Sequence, residues 1–195
     1  MNVRSRLILG GLFSLLGLIL VATSALFIEK SILLEDRKIK TRHLVETVHG
    51  LISHYQAQSK AGTLSEEDAQ NAAKMAVKAL RYEGKEYFWI NDQAMPVPRM
   101  VMHSTVPALD GKILDAANFN SATSQQFGED APVLKTDGKK NIFVAFSEVA
   151  TQAGGGYVTY NWPKPQAGGG TTTELYQKLS YVKKVDDWGW VVGSG

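Results

Sequence analysis

The fold of this chain is decided by the stretch YFWIND at residues 87–92, taken together with MVMH at residues 100–103. Both runs are rich in aromatic, β-branched and other apolar side chains, which favour β-strands. Pro96 and Pro98 lie between the two runs and indicate a turn. The sequence therefore predicts a β-hairpin here, with helices before it and the rest of the same sheet after it.

The size and composition of the chain limit the class of protein. Its 195 residues suffice for one core of ordinary size and an appendage, but not for two large domains. The formal net charge of +2, with Lys and Arg interleaved among Asp and Glu, argues against nucleic-acid binding. Because there is no cysteine, disulfides, cysteine-based zinc sites and thiol nucleophiles are excluded.

An uncharged apolar segment runs from Leu7 to Ile28. A helix over this segment is ~33 Å long, close to the thickness of the hydrocarbon core of a bilayer. Arg4 and Arg6 come just before it, so the positive-inside rule places the N-terminus in the cytoplasm and the bulk of the chain outside. The alternative is a cleaved signal sequence, for which residues 22–25 offer a small-residue site. The length of the apolar run and its continuation into a helical pattern favour an uncleaved anchor.

Residues 29–58 predict a stalk helix that continues from the membrane segment, since they contain no proline and a single glycine. Apolar residues recur at three- and four-residue steps in one stripe, at Val45, Val48, Ile52 and Tyr55. This stripe fits a helix that packs on a core, and it equally fits a helix that pairs with its twin in a homodimer. The sequence leaves both open.

The remainder of the chain alternates helices with short strands. Ser65 is a predicted N-cap followed by three acidic residues, and it begins a second helix that ends near Gly84. A third helix is predicted over residues 142–153, where three glycines stop it. Residues 118–140 are predicted to be irregular, and residues 166–173 to form a flexible loop. Strands are predicted at 87–92, 100–103, 157–162, 179–185 and 189–192.

About five short strands with hairpin connections and a helix packed on one face predict an α+β fold around an antiparallel sheet. The chain divides into a cytoplasmic tip and transmembrane helix at 1–28, a stalk helix at 29–58 and a folded domain at 59–195. The last strand is still running at Gly195, so we expect the natural protein to continue beyond it.

Eight short motifs, which follow one another in a fixed order, resemble a known family. They are RY at 81–82, YFWIND at 87–92, MVMH at 100–103, LDGK at 109–112, GYV at 156–158, YNWPKP at 160–165, KLSYV at 178–182 and WGWVVG at 188–193. Over roughly residues 35 to 195 the chain is similar to the single-Cache extracellular sensor domains of bacterial chemoreceptors and sensor kinases. It looks most like the second single-Cache subfamily.

This resemblance implies a PAS-like sheet flanked by a long N-terminal helix, which senses small organic acids such as acetate, propionate or pyruvate. It also implies a second membrane helix, a HAMP segment and a cytoplasmic signalling domain. The sequence departs from the family at Ser104, where proline is usual, in the long segment 118–140 and at the three consecutive glycines 168–170.

A small carboxylate needs a fixed cation or several hydrogen-bond donors beside apolar walls. Candidates that supply a cation, a hydroxyl or a wall near the predicted sheet are Arg81, Tyr87, Trp89, Met100, His103, Tyr160, Lys178 and Tyr181. In an ideal strand Lys178 and Tyr181 point to opposite faces, so both reach one pocket only if a bulge or the start of the strand intervenes. The family resemblance favours both. Structural roles stay open for His103, as a hydrogen-bonded core histidine, and for Arg81, as a helix cap.

No recognisable motif supports an enzyme. The motifs G-x-S-x-G and H-E-x-x-H do not occur. The three glycines at 168–170 are not followed by the lysine and serine of a P-loop. The four histidines have no metal-site spacing, because His49 and His54 are five residues apart on the stalk helix. We expect neither a metal nor a cofactor.

These observations predict the membrane-anchored, homodimeric sensor region of a chemoreceptor in the bacterial inner membrane, with its sensor domain in the periplasm. It would bind a small organic acid and signal through the stalk helix to cytoplasmic partners. Two alternatives stay open. In the first, the same sensor domain is part of a histidine kinase or a cyclic-dinucleotide enzyme. In the second, the chain is a membrane-anchored module that binds a protein partner and has no small ligand.

Overall fold

A computed structural model describes residues 2–84, 86–165 and 171–195. The chain forms two compact units, Met1–Ile39 and Lys40–Gly195. The predicted loop at 166–173 falls largely on residues 166–170, which lie outside the described residues, and the strand that follows already begins at Thr171.

The first helix, α1 (Val3–Lys60), has 58 residues, so the predicted membrane and stalk segments are one continuous helix. By length and composition it is able to cross a membrane, and it is the one such helix in the described part of the chain. Its residues 3–39 belong to the first unit and its residues 40–60 to the second. In the second unit, the predicted apolar stripe is buried at Val45, Val48 and Ile52.

Two shorter helices follow, α2 (Glu66–Ala79) and α3 (Ile142–Ala153). As predicted, Ser65 caps α2: its hydroxyl accepts a hydrogen bond of 3.0 Å from the backbone N–H of Asp68. The helix ends at Ala79, earlier than the sequence suggested, with Leu80 as its C-cap. Asn141 caps α3 through its side-chain oxygen, and Gly154 ends α3 in the left-handed conformation that glycine adopts at low cost.

In the described residues, a single antiparallel sheet of seven strands, in the order β2-β1-β7-β6-β5-β3-β4, forms the body of the second unit. The strands are β1 (Phe88–Asp92), β2 (Met100–His103), β3 (Asn120–Phe127), β4 (Leu134–Asn141), β5 (Gly155–Pro165), β6 (Thr171–Val185) and β7 (Trp190–Ser194). The predicted α+β architecture and its hairpin of β1 and β2 are confirmed. The expected number of strands was too low by two.

The two additional strands, β3 and β4, occupy the segment 118–140 that was predicted to be irregular. The prediction failed because the inward side chains of β3 are largely polar. Gln125 is buried, and its amide donates hydrogen bonds of 3.2 Å to the carbonyl of Ala145 and 3.0 Å to the carboxylate of Glu148. Such hydrogen bonds permit burial without the apolar alternation by which a strand is recognised.

The sheet is covered on both faces. One face packs against α1 and α2, with Phe88, Ile90 and Val192 in the core on that side. The other face packs against α3, with Trp89, Val158 and Val191 in its core. Because side chains alternate along a strand, the central strands β1, β6 and β7 contribute to both cores at once.

The packing of β1 on β7 requires glycine at position 193. Gly193 pairs with Trp89, and a β-carbon at position 193 would lie 2.7 Å from Cη2 and 2.9 Å from Cε2 of that indole. Both the indole and the backbone around it are buried, so neither has space to move.

We predict that Gly193→Ala destabilises the protein by about 1–3 kcal/mol, because the added methyl overpacks the core against Trp89. The measurement is urea unfolding followed by tryptophan fluorescence. Gly50→Ala is the matched control: position 50 lies in α1 with no atom within 4 Å of its would-be β-carbon, and alanine is the better helix former. Equal stability of the two variants would contradict the packing argument.

Candidate functional site

Four polar side chains lie together on the face of the sheet that packs against α3, and we call Tyr87, His103, Tyr160 and Lys178 the polar cluster. The β5–β6 register places Tyr160 opposite Lys178. The Lys178 Nζ atom is 4.8 Å from the centre of the Tyr87 ring, and the rings of Tyr87 and His103 are 4.9 Å apart. Four of the eight predicted site residues are therefore brought together.

A bulge in the first hairpin brings His103 into this group. Ile90 pairs with Met102 but Asn91 pairs with Met100, so Val101 is an extra residue in β2. In a regular strand Met100 and His103 would face opposite sides. The bulge instead turns both toward the side of Trp89, which is opposite His103 in the ladder.

Lys178 is a cation with little access to water and, in the described part of the chain, no hydrogen-bonded counter-ion. Its side chain is 17% exposed, and the nearest carboxylate oxygen, Oε2 of Glu86, is 3.9 Å from Nζ. Among residues 2–84, 86–165 and 171–195, no acceptor lies within hydrogen-bonding distance of that ammonium. Burial lowers the pKa of Lys178 below its usual value, and the charge of Glu86 opposes this shift.

His103 is held as a neutral hydrogen-bond donor. Its Nδ1 atom accepts hydrogen bonds from the backbone N–H groups of Val106, at 3.0 Å, and Thr105, at 3.3 Å. Burial first, and then the charge of Lys178, lowers the pKa of His103 to about 4. The ring proton is therefore on Nε2, which has no partner in the described part of the chain.

The two tyrosines of the polar cluster supply neutral hydroxyl groups. Burial raises the pKa of Tyr160 well above its ordinary value, and its hydroxyl is 2.9 Å from that of Ser180. Burial also raises the pKa of Tyr87, while hydrogen bonding with Thr105 and Trp162 acts in the opposite direction. Both groups remain protonated at neutral pH and are available as donors.

Three other predicted residues surround this group without belonging to it. Arg81 is exposed, and its guanidinium donates to the carbonyls of Lys78, Leu80 and Ser104, which is the helix-capping role left open by the sequence. Trp89 and Met100 are buried in the core on the α3 side. The indole N–H of Trp89 donates to the side-chain oxygen of Asn91 at 3.1 Å, so Trp89 offers only apolar surface.

Tyr181 lies on the opposite face of the sheet from Lys178, because no bulge separates the two residues in β6. Its ring packs against Tyr157, with centroids 4.9 Å apart, in the core beneath α1. Burial raises the pKa of Tyr181 to about 12. Tyr181 borders a separate surface cleft of about 630 Å³ with His49 and Lys183, and the structure does not bring it to the polar cluster.

Sequence analysis missed two residues beside the polar cluster. Ser180 follows Lys178 by two positions and shares its face, so strand alternation alone would have found it. Glu86 precedes the first strand, and its proximity to Lys178 spans 92 positions along the chain, so no local pattern could have found it.

The polar cluster combines a fixed positive charge with neutral hydrogen-bond donors, and aromatic rings lie beside it. The rings of Tyr160 and Trp162 have centroids 6.1 Å apart beside it. This chemistry suits a small anion with a short apolar tail. No group of three or more metal-ligating side chains occurs within the described ranges.

Comparisons with known proteins point to one family of sensors. The family profile dCache_2, described as a Cache domain, matches residues 18–195. The methyl-accepting chemotaxis protein McpP of Pseudomonas putida is 40% identical over 159 residues, which are 80% of this chain and 24% of that protein. The sensor histidine kinase MctS of Rhizobium johnstonii is 38% identical over 60 residues, which are 31% of this chain and 12% of that protein. The chain thus spans about a quarter of the length of McpP.

Solved structures agree with this match. A periplasmic sensor domain of a chemotaxis protein is 39% identical with a TM-score of 0.66, and the match covers 83% of this chain and 95% of that one. A Cache chemosensory domain, whose structure is described as the basis of carboxylic acid recognition, is 34% identical with a TM-score of 0.65, over 84% and 94% of the two chains. The resemblance to Cache sensor domains is confirmed.

We predict that His103 makes the protein less stable as the pH falls. Its pKa is about 4 in the folded state against ~6.5 in the unfolded chain, so the unfolded chain binds the proton first and stability is lost between these values. In His103→Asn the amide oxygen still accepts from the backbone but does not titrate. Between pH 7 and pH 4.5 the variant should lose about 2 kcal/mol less unfolding free energy than the wild type.

The measurement is urea unfolding of both proteins across this pH range. Parallel curves of unfolding free energy against pH would show that His103 does not titrate as proposed.

Proposed function

Because this chain belongs to the Cache domain family, we propose that its second unit is the ligand-sensing domain of a methyl-accepting chemotaxis receptor. We propose that the polar cluster binds a short-chain monocarboxylate of the acetate, propionate or pyruvate class. The relatives whose sequences and structures match most of the chain are chemoreceptor sensor domains, which are binding proteins rather than enzymes. One related Cache domain is described as recognising carboxylic acids.

The observation that carries the proposal is the ammonium group of Lys178. A cation that is largely shielded from water and lacks a hydrogen-bonded partner raises the free energy of the folded state. Here the side chain is 17% exposed and its nearest carboxylate oxygen is 3.9 Å away. A ligand carboxylate that contacts Nζ would remove this penalty, and its relief would contribute favourably to the free energy of binding.

The neighbouring donors fit the same ligand. A carboxylate beside Lys178 would accept further hydrogen bonds from Nε2 of His103 and from the hydroxyl groups of Tyr87 and Tyr160. All three donors are neutral at pH 7, so they add directional contacts without further charge. The indole of Trp162 would cover a short alkyl tail.

We propose that α1 anchors the protein in the inner membrane and that the sensor domain lies in the periplasm. Support comes from the apolar, charge-free residues 7–28 with Arg4 and Arg6 before them. The length of McpP beyond the matched quarter suggests cytoplasmic signalling partners in a longer protein. We also propose a homodimer that pairs through α1, where Ile32, Leu33 and Leu34 are exposed.

A sensor histidine kinase is the second candidate for the whole protein. The match to MctS over 60 residues supports it, while the longer match to McpP favours the chemoreceptor. Sequencing the gene beyond codon 195 would distinguish the two, because a kinase core and a methyl-accepting helical bundle have different sequences.

We predict that Lys178→Met strongly weakens carboxylate binding without lowering stability. Loss of the charge-assisted contact should weaken binding of propionate by about a hundredfold. The melting temperature of the unliganded variant should equal or exceed that of the wild type, because a poorly solvated cation has been replaced by an apolar side chain. The measurements are isothermal titration calorimetry and thermal unfolding of the full chain in lipid nanodiscs.

Two control variants separate a local effect from a general one. Lys184→Met removes a lysine from the same strand, where it pairs with Asp186 at 2.9 Å, and should retain wild-type affinity. Tyr181→Phe should also retain affinity, because Tyr181 lies on the other face of the sheet. If Lys178→Met binds propionate as tightly as the wild type does, the polar cluster is not the ligand site. Failure of the wild type to bind acetate, propionate, pyruvate or lactate would remove the proposed ligand class.

A further inference from the structure

We propose that Glu86 is an internal counter-ion that a ligand carboxylate displaces from Lys178, and that it restricts the site to ligands with a single negative charge. This inference rests on the proposed function, since it concerns the same cluster. It assigns a role in specificity to a residue that stands outside the predicted set of ligand contacts.

The Glu86 backbone is fixed beside the polar cluster. Its N–H donates to the carbonyl of Tyr82 at 3.0 Å, and the N–H of Tyr82 donates to the carbonyl of Glu86 at 3.2 Å. This bridge immediately precedes Tyr87, whose ring faces Lys178. The Glu86 carboxylate is therefore held close to the cation without being part of the sheet.

The ion pair itself is loose. The distance of 3.9 Å between Nζ and Oε2 exceeds the length of a hydrogen bond, so the attraction acts through space and leaves the N–H donors of Lys178 unused. The Glu86 side chain is 21% exposed, so its carboxylate has a path to water. A ligand carboxylate can thus replace Glu86 next to Nζ without breaking a hydrogen bond in the described part of the chain.

The charges around the site determine what it accepts. His103 is neutral, and Asp110 is paired with Lys78 at 3.0 Å. Arg81 keeps its positive charge, because its three hydrogen bonds go to uncharged backbone carbonyls, and this charge is the same for every ligand. Lys178 and Glu86 then cancel one another. With a monocarboxylate bound, the net charge of Lys178, Glu86 and the ligand is −1; with a dicarboxylate bound, it is −2. In a partly desolvated site the repulsion between Glu86 and the ligand is stronger than in water.

A purely structural ion pair makes the opposite prediction. If Glu86 served only to stabilise Lys178, its removal would leave the cation less stable and would not alter the choice between ligands. If Glu86 competes with the ligand, its removal makes the cation more available, and the larger gain goes to the dianion.

The test compares Glu86→Gln with the wild type in the full 195-residue chain in lipid nanodiscs. Calorimetric titrations at pH 7.5 use acetate and propionate as monoanions and malonate and succinate as dianions. We expect Glu86→Gln to bind the monoanion about tenfold more tightly. We expect a larger gain for the dianion, so that the ratio of monoanion to dianion affinity falls.

Glu174→Gln is the matched control, because it removes the same charge from β6 four residues before Lys178 and should bind as the wild type does. Glu86→Ala is a second variant that keeps the test usable if the glutamine variant is poorly folded, and it should change affinity in the same direction. Unchanged or weaker binding by both Glu86 variants, with a wild type that binds propionate, would overturn the role of Glu86 alone. A wild type that binds no acid would overturn the proposed function and this inference together.

Discussion

The largely shielded ammonium of Lys178, whose side chain is 17% exposed, is the constraint around which the polar cluster is arranged. Strand pairing fixes it opposite Tyr160, and the two cores of the sheet fix the strands. A cation with little access to water and no hydrogen-bonded counter-ion is unfavourable, and the paired strands hold its backbone beside the polar cluster. The stability of the two cores therefore maintains the polar cluster in this arrangement.

The sheet also connects the two sides of the domain. Phe88 faces α1 and α2. Its neighbours lie on the other face of the sheet, where Tyr87 belongs to the polar cluster and Trp89 packs in the core beneath α3. The hydroxyl of Ser194 donates to the backbone carbonyl of Tyr87 at 2.6 Å and lies 2.8 Å from the hydroxyl of Tyr82. A ligand that prefers one position of Tyr87 would thereby bias β7 and the helices behind it, to the extent of its preference.

Local patterns were sufficient for part of this structure. The apolar runs predicted β1 and β2, the acidic residues after Ser65 predicted α2, and strand alternation anticipated that Tyr181 and Lys178 face opposite sides. Strand β3 was missed because its buried glutamine is satisfied by hydrogen bonds with α3, which are contacts between distant segments. Glu86 was missed for the same reason, since its relation to Lys178 exists only after the sheet has formed.

The extra residue at Val101 has a consequence for engineering. Because the bulge sets which way His103 faces, exchanging the residues of the polar cluster between sensor domains would not by itself transfer the arrangement of that cluster. Deleting Val101 from β2 would make the ladder regular and turn the imidazole to the other face of the sheet, with every residue of the polar cluster still present in the sequence. A chimeric protein that is to keep this orientation of His103 should therefore contain residues 87–103 as one unbroken segment, with the extra residue of β2 retained.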